Sequence, residues 1–359
     1  MKIYTNVYTY KDKILFRYID TKTNERHIKL LKDFSKIKLI RGYKYKNGNY
    51  IDRFGHKATI KTFNTINEWR DAKDLPLFNI DPAYQIIFQL YKNKEIINPI
   101  DKLSIMNIDI EVMSSDEFPT PDKVNYPIVS IVMQDMNKDK YYILAWNETS
   151  DEFYNEEENI IYIHCKDEID LLKKFIKIWK GKKYFYYPDI VTGWYIEGFD
   201  IPYLINRIKK LLDEEIALKL SPINKITERE IKKGSKTFIK YLIKGIAILD
   251  YLELYKKYVG EQSSYALGYI AQHEIGETKV EYDDYGKLYD LYIHNFQKFI
   301  EYNLQDVKLV YKIDKKLKLL YLLTTIAYLG RANYEDVLGT VKYFDAFFTY
   351  EAWKKGVLI

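Results

Sequence analysis

Residues 103 to 113, LSIMNIDIEVM, form an apolar run of strand length that carries two carboxylates, Asp109 and Glu111. Side chains alternate along a strand, so a spacing of two sends both acids out of one face. Two carboxylates among apolar neighbours are costly unless something cationic compensates them, and a salt bridge or exposure at a strand end would serve. Any fold for this chain must build a strand here and then deal with those charges.

The residues before that strand, 1 to 104, read as a small, mostly β domain. KILFRYID, HIKLL and KIKLIRGYKY have strand character, and Asn47-Gly48 suits the positive φ angles of a tight hairpin. TINEWRDAKD and PAYQIIFQLYKNK show helical spacing, with Tyr84, Ile87 and Leu90 recurring on one face. The domain is expected to end at NPIDKL.

From Leu103 the pattern changes. LSIMNIDIEVM, YPIVSIVMQD and YYILAW, with a polar turn at Asn137 to Lys140, predict an antiparallel meander. DEIDLLKKFIKIWK then places Leu172, Phe175, Ile176 and Trp179 on the stripe of an amphipathic helix, and IVTGWYI reads as a fourth, buried strand. In GFDIPYLINRIKKLLDEEI, Asp200 and Pro202 stand at a helix start, where a short acceptor caps and Pro is tolerated. The order β, β, β, α, β, α predicts an α/β fold, a ribonuclease H-like mixed sheet flanked by helices.

Farther on, KITEREIKKGSKTFIKYLIK (225 to 244) predicts a Lys-rich hairpin turning at Lys233-Gly234-Ser235. HNFQKFIEYNLQDVKLVYKIDKKLKLLYLL predicts a long helix with Phe296, Phe299, Ile300, Asn303, Val307, Val310 and Ile313 near one face. The second domain is expected over 105–335, and residues 336–359 are expected to return toward the first. No internal repeat is present.

Composition narrows the class. With 359 residues and 47% hydrophobic content, the chain can pack more than one core and is expected to be globular and soluble. A formal net charge of +5 permits a polyanionic partner, but 56 basic against 51 acidic residues means that local patches must provide the attraction. Cys165 is the single cysteine, which excludes an intramolecular disulfide and a Cys-based zinc site and suits a reducing, cytoplasmic setting. The N-terminus has no uninterrupted apolar core, and no stretch of about 18 apolar residues occurs, so neither a signal peptide nor a membrane span is expected.

Further acids join the first pair. Asp200 follows the fourth strand, and Asp306 lies in the late helix one turn after Tyr302. Read singly, Asp200 would be an N-cap and Tyr302 a core aromatic. Together they give D-x-E, then D at a strand-to-helix junction, then Y-x3-D. Such hard oxygen donors suit Mg2+ or Mn2+. Two divalent ions about 3.5 to 4 Å apart can stabilise both the attacking and the leaving oxygen of an in-line displacement, which points to phosphodiester hydrolysis. A neutral phenol beside them can orient a water without acting as a base.

NIDIEV, TGWYIEGFDIPYLINRI and EYNLQDVKLVYKID resemble the three exonuclease motifs of family B DNA polymerases, especially those of T-even-type bacteriophages, in order and approximate spacing. The resemblance implies a DEDDy 3'→5' proofreading exonuclease. In it Asp109, Glu111, Asp200 and Asp306 would hold two divalent cations, Mg2+ or Mn2+, and Tyr302 would position the water. It further implies that Phe118 of DEFPTP stacks on an unpaired 3' base, and that the 225–244 hairpin, with Lys232 and Lys233, helps part primer from template. Asn206, Arg207 and Lys279 are implied near the DNA, although the family spacing between Lys279 and Asp306 is not matched residue for residue.

The palm segments D-x2-S-L-Y-P-S and Y-G-D-T-D of that family do not occur, so nucleotide transfer is not expected from this chain alone. The expected partners are single-stranded and primer-template DNA and a polymerase part, either a separate subunit or a continuation of the same protein. The motifs leave open a nucleic-acid-binding or assembly module that is idle until its partner docks, and a ribonuclease of the same fold.

Overall fold

The computed structural model describes residues 1–359 except 73–75, 77, 115, 116, 148–152, 154, 182–185, 234, 235 and 340. The chain divides into two compact units, residues 1–102 with 321–359, and residues 103–320.

In the first unit, alternating sequence lays out β1 (Lys2–Tyr10), β2 (Lys13–Asp20) and β3 (Arg26–Leu31) as one antiparallel sheet. β4 (Leu39–Lys44), β5 (Tyr50–Asp52) and β6 (Lys57–Phe63) belong to a second sheet. Two helices come next, each opened by a side-chain cap. Thr65 accepts from the Glu68 amide at α1 (Ile66–Asp71), and Asp81 accepts from the Ala83 amide at α2 (Pro82–Leu90). The hairpin expected at Asn47-Gly48 is absent as such. β4 and β5 both pair with β6 and not with each other. Gly48 is required there by a close approach of backbones, since a Cβ would sit 1.7 Å from the Ala58 carbonyl oxygen.

The second unit is built on a six-stranded mixed sheet. β7 (Ile105–Val112), β8 (Ile128–Asp135) and β9 (Lys140–Ala145) form the antiparallel meander, and β10 (Ile160–His164) extends it in parallel beside β9. α3 (Glu168–Lys180) leads to β11 (Ile190–Gly193), which runs parallel to β7 on its other side. α4 (Asp200–Leu211) and the short α5 (Glu214–Leu218) precede the hairpin of β12 (Ile226–Lys233) and β13 (Lys236–Ile243). The turn residues Gly234 and Ser235 and the side chain of Lys233 lie outside the described residues. β14 (Ala247–Asp250) adds parallel to β11, giving the order β10-β9-β8-β7-β11-β14. This is the ribonuclease H-like sheet, with helices on both faces.

α6 (Tyr251–Tyr258), α7 (Leu267–Ile275), α8 (Leu288–His294) and α9 (Phe296–Leu317) complete the unit. The long helix expected through residue 323 is broken. Lys318 adopts a left-handed φ of 54°, its amide closes α9 on the Asp314 carbonyl, and the Asp314 carboxylate accepts from the Leu320 amide. α10 (Leu319–Gly330) starts there, and α11 (Val341–Lys354) and β15 (Val357–Leu358) bring the chain back to the first unit, where β15 pairs in parallel with β5.

β7 is the central partition. Its even-numbered residues Met106, Ile108, Ile110 and Val112 join the core with α3 and α4 residues such as Phe175, Trp179 and Ile205. On the opposite face Val129, Val132 and Ile143 pack with Phe299, Ile300 and Val307 of α9. A buried ion pair clamps the first of these layers. Arg207 Nε and Nη2 donate to Glu168 at 2.6 Å each, Arg207 Nη1 donates to the Val124 carbonyl at 2.8 Å, and Glu168 also accepts the Ile128 amide at 2.8 Å. The pair therefore ties α3, α4 and the start of β8. Glu168→Ala should destabilise the protein by about 3–5 kcal/mol because it strands a buried guanidinium, whereas the double change Glu168→Leu with Arg207→Met should cost less. Urea denaturation of the two variants checks this, and a double variant worse than the single one would contradict it.

Candidate functional site

The face of β7 that carries Asp109 and Glu111 opens into a cavity of about 560 Å³, whose lining includes Asp109, Glu111, Phe118, Asp200, Lys279, Tyr302 and Asp306. The strand period puts the first two acids on this face, and the helix period of α9 puts Tyr302 and Asp306 over it. One ligand atom from each of Asp109, Glu111 and Asp306 falls within 4.8 Å of the others. Asp200 stands in the same cavity but outside that trio. It is the first residue of α4 and not its cap, and its Oδ1 accepts from the Ile110 amide of β7 at 3.0 Å.

Compensation is sparse for so many acids. Lys279 Nζ pairs with Asp306 Oδ2 at 2.5 Å and donates to the Tyr302 hydroxyl at 3.2 Å. Asp306 Oδ1 is buried and has no hydrogen-bond partner among the described residues. Burial, followed by the charges of Asp200, Asp306 and Glu111, holds the Asp109 carboxyl well above the usual carboxylate range. Burial and the neighbouring Asp306 push Glu111 up to about 8. Burial raises Asp200 to about 7 against the pull of the Ile110 amide. Burial also raises Asp306, with Lys279 opposing. Burial and the charges of Glu111 and Asp306 raise the Tyr302 phenol, which keeps its proton. Burial pulls the Lys279 ammonium down, but Asp306 and Tyr302 more than offset it and hold it above its ordinary value.

Residues 40–270 match the family model of the DNA polymerase family B exonuclease domain. The chain belongs to that family. It is 31% identical to the DNA-directed DNA polymerases of Enterobacteria phage T4 and Escherichia phage RB69, in each case over 96% of this chain and 40% of the relative. It is also 25% identical to DNA polymerase 1 of Sulfolobus acidocaldarius over 63% of the chain and 24% of the relative. The chain thus spans about two fifths of the length of its phage relatives. No described helix is long and apolar enough to cross a membrane.

Within this exonuclease domain the expected residues fall into two groups. Asp109, Glu111, Asp200, Tyr302, Asp306, Lys279 and Phe118 share the cavity, and Phe118 is 83% exposed there, its ring centroid 6.1 Å from that of Phe199. Asn206, Arg207 and Lys232 do not line it. Arg207 is buried in its pair with Glu168. Asn206 donates to the Pro121 carbonyl and accepts from the Tyr241 hydroxyl, both at 2.7 Å, so it anchors a loop to β13. Lys232 is exposed on β12.

Two residues escape a reading of the sequence. Asn303 donates to Asp109 Oδ2 at 2.6 Å and accepts from the Ser130 hydroxyl at 2.7 Å, fixing the orientation of that carboxylate. Its signal is an amide on the apolar stripe of α9, where a buried polar group needs partners. Asp250, at the end of β14, accepts from the Tyr195 and Glu197 amides and so holds the turn that leads to Asp200. β14 has no alternation to mark it as a strand, which hides that acid.

Glu111 and Asp200 titrate near 8 and 7 in the folded chain, against about 4 for unperturbed carboxyls. Between those values the folded state holds protons that the unfolded chain releases, so stability in EDTA should fall as pH rises from about 4 through about 8. Divalent cations should restore it at the upper end. Thermal melts at about pH 5 and about pH 8, with EDTA or Mg2+, test this, and a pH-independent melt unaffected by Mg2+ would refute it.

Proposed function

We propose that the chain hydrolyses the terminal phosphodiester at the 3' end of single-stranded or frayed DNA, the proofreading activity of a family B polymerase. The observation that carries this reading is the convergence of Asp109, Glu111 and Asp306 within 4.8 Å in a cavity that also holds the exposed ring of Phe118.

The donor set fits divalent cations. Three carboxylates lie within reach of one ion, Lys279 is paired into the cluster, and Asp306 Oδ1 has no hydrogen-bond partner among the described residues, so oxygen donors stand open to a cation, and donors of this hardness suit Mg2+ or Mn2+. Asp109, Glu111, Asp200 and Asp306 would hold two such ions. When bound, they supply Lewis acidity at a phosphoryl oxygen and make a water more acidic.

The protein's own groups supply placement. Tyr302 accepts a hydrogen bond from Lys279 and retains its phenolic proton, so it acts as a donor that orients a water and not as a base. Asn303 keeps Asp109 from rotating. Phe118 offers a face for the unpaired terminal base, an interaction indifferent to base identity and worth about 1–3 kcal/mol. Mispaired ends melt more cheaply, which gives selectivity for errors without reading base edges. Lys232 of the hairpin, exposed on β12, would meet phosphates at the strand junction. The partners in this reading are DNA and a polymerase part, in a separate subunit or continuous with this chain, acting in the cytoplasm.

A 5'-labelled single-stranded DNA oligomer should shorten from its 3' end with Mg2+ and remain intact with EDTA. Asp109→Ala and Asp306→Ala should each lower the rate by more than about a hundredfold, beyond what outer partners of a metal contribute, with folding retained. Tyr302→Phe should lose only about ten- to a hundredfold, since a water-orienting donor contributes less than full acid–base catalysis. Equal rates in wild type and both Asp variants would overturn the assignment. A parallel RNA oligomer cut as fast as DNA would move the substrate class.

A further inference from the structure

The turn between β11 and α4 sends Trp194, Tyr195 and Phe199 into the cavity, and among them Tyr195 is the exposed one, at 53%. Its φ of 64° lies in the left-handed region, where a bulky side chain is strained. Strain of this kind persists only where the surroundings over-determine it, and it collects at functional sites. The surroundings do so here. The Tyr195 amide donates to Asp250 at 3.0 Å, and its carbonyl accepts from the Gly198 and Phe199 amides at 3.1 Å each. The ring packs against Gly198, where a Cβ would fall 2.3 Å from its far end. Trp194 is pinned by its own bond to the Tyr265 carbonyl at 3.0 Å and stays partly covered. Tyr195 is thus held at a backbone cost and kept out of the core, five residues before Asp200.

We propose that Tyr195 is a second base platform, taking the nucleobase of the penultimate nucleotide while Phe118 takes the terminal one. This rests on the nuclease reading above. A scissile phosphodiester joins two nucleosides, so a cavity that would hold it through cations on its carboxylates must accommodate a base on each side. The cavity offers two exposed rings, Phe118 and Tyr195, and base–aromatic stacking suits both because every base has a π-face. Tyr195 is in this reading a positioning residue that sets where the chain of the substrate lies.

The test uses the full chain and three 5'-fluorescein-labelled oligodeoxynucleotides, one intact, one abasic at the penultimate nucleotide and one abasic at the 3' terminus. Tyr195→Asn removes the ring while tolerating the left-handed backbone, and Tyr195→Phe keeps the ring. KM and kcat are read with Mg2+, and binding is read by anisotropy with Ca2+. Tyr195→Asn should raise KM and Kd roughly tenfold for the intact oligomer with little change in kcat, and Tyr195→Phe should match wild type. The penultimate abasic site should weaken wild type by a similar factor and Tyr195→Asn no further, while the terminal abasic site should still weaken Tyr195→Asn. An unchanged KM in Tyr195→Asn, or a penultimate penalty that persists in full in that variant, overturns the platform. If wild type binds without cleaving, the activity proposed above fails while the binding data still decide on Tyr195. If wild type does not bind at all, both readings fall.

Discussion

The second unit is organised around the free energy of gathering acids at the bottom of a cavity. Asp109, Glu111, Asp200 and Asp306 come from β7, α4 and α9, and burial with mutual repulsion resists their ionisation together. Three of them are held by a group from another element. Asn303 of α9 donates to Asp109, the β7 backbone at Ile110 donates to Asp200, and Lys279 of the segment after α7 pairs with Asp306. Those contacts locate the carboxylates without neutralising them, because one ammonium and two neutral donors do not balance four acids. A bound cation would let them ionise together, and without one their burial is a cost that the apolar layers on either side of the sheet must offset.

Placing the acids on an interior strand makes this possible. β7 pairs with β8 along its length and with β11 over Ile105–Asn107, and beyond that the Ile110 amide is satisfied by Asp200, so both its faces can be covered. A one-residue slip in that pairing would exchange the two faces and bury Asp109 and Glu111 against α3 and α4. The register stays regular as far as Glu111, opposite Ser130, and shifts between Glu111 and Val112. Regular pairing thus persists through both acids and then gives way to the loop that carries Phe118.

Local pattern made much of this legible. The β7-β8-β9 meander, α3, α4 and the spacing of Tyr302 and Asp306 all derive from periods of 2 and 3.6, and the periods also say which acids share a face. What stayed hidden depends on tertiary partners. β10 and β14 are short parallel strands of four or five residues whose apolar runs carry no alternation to mark them. The Asn47-Gly48 dipeptide suggested a hairpin, but β6 takes the place between β4 and β5. The helix through residues 296–323 had no Gly or Pro to mark its break, which comes from Lys318 in the left-handed region and from the Asp314 side chain, which accepts an amide in the first turn of α10.

Asn206 and Arg207 show why adjacency in a motif is not adjacency in a site. Asp200 and Arg207 are seven residues apart on α4, so they share the buried face of the helix. A rise of 1.5 Å per residue separates them by about 10 Å along the axis. At one end that face meets β7, where the Ile110 amide waits for Asp200. At the other it meets Glu168 and the Val124 carbonyl, and a long planar cation with donors in a fixed fork satisfies both. The same helix therefore presents a carboxylate to the cavity and an arginine to the scaffold. The second keeps α4 at the height on which the first depends.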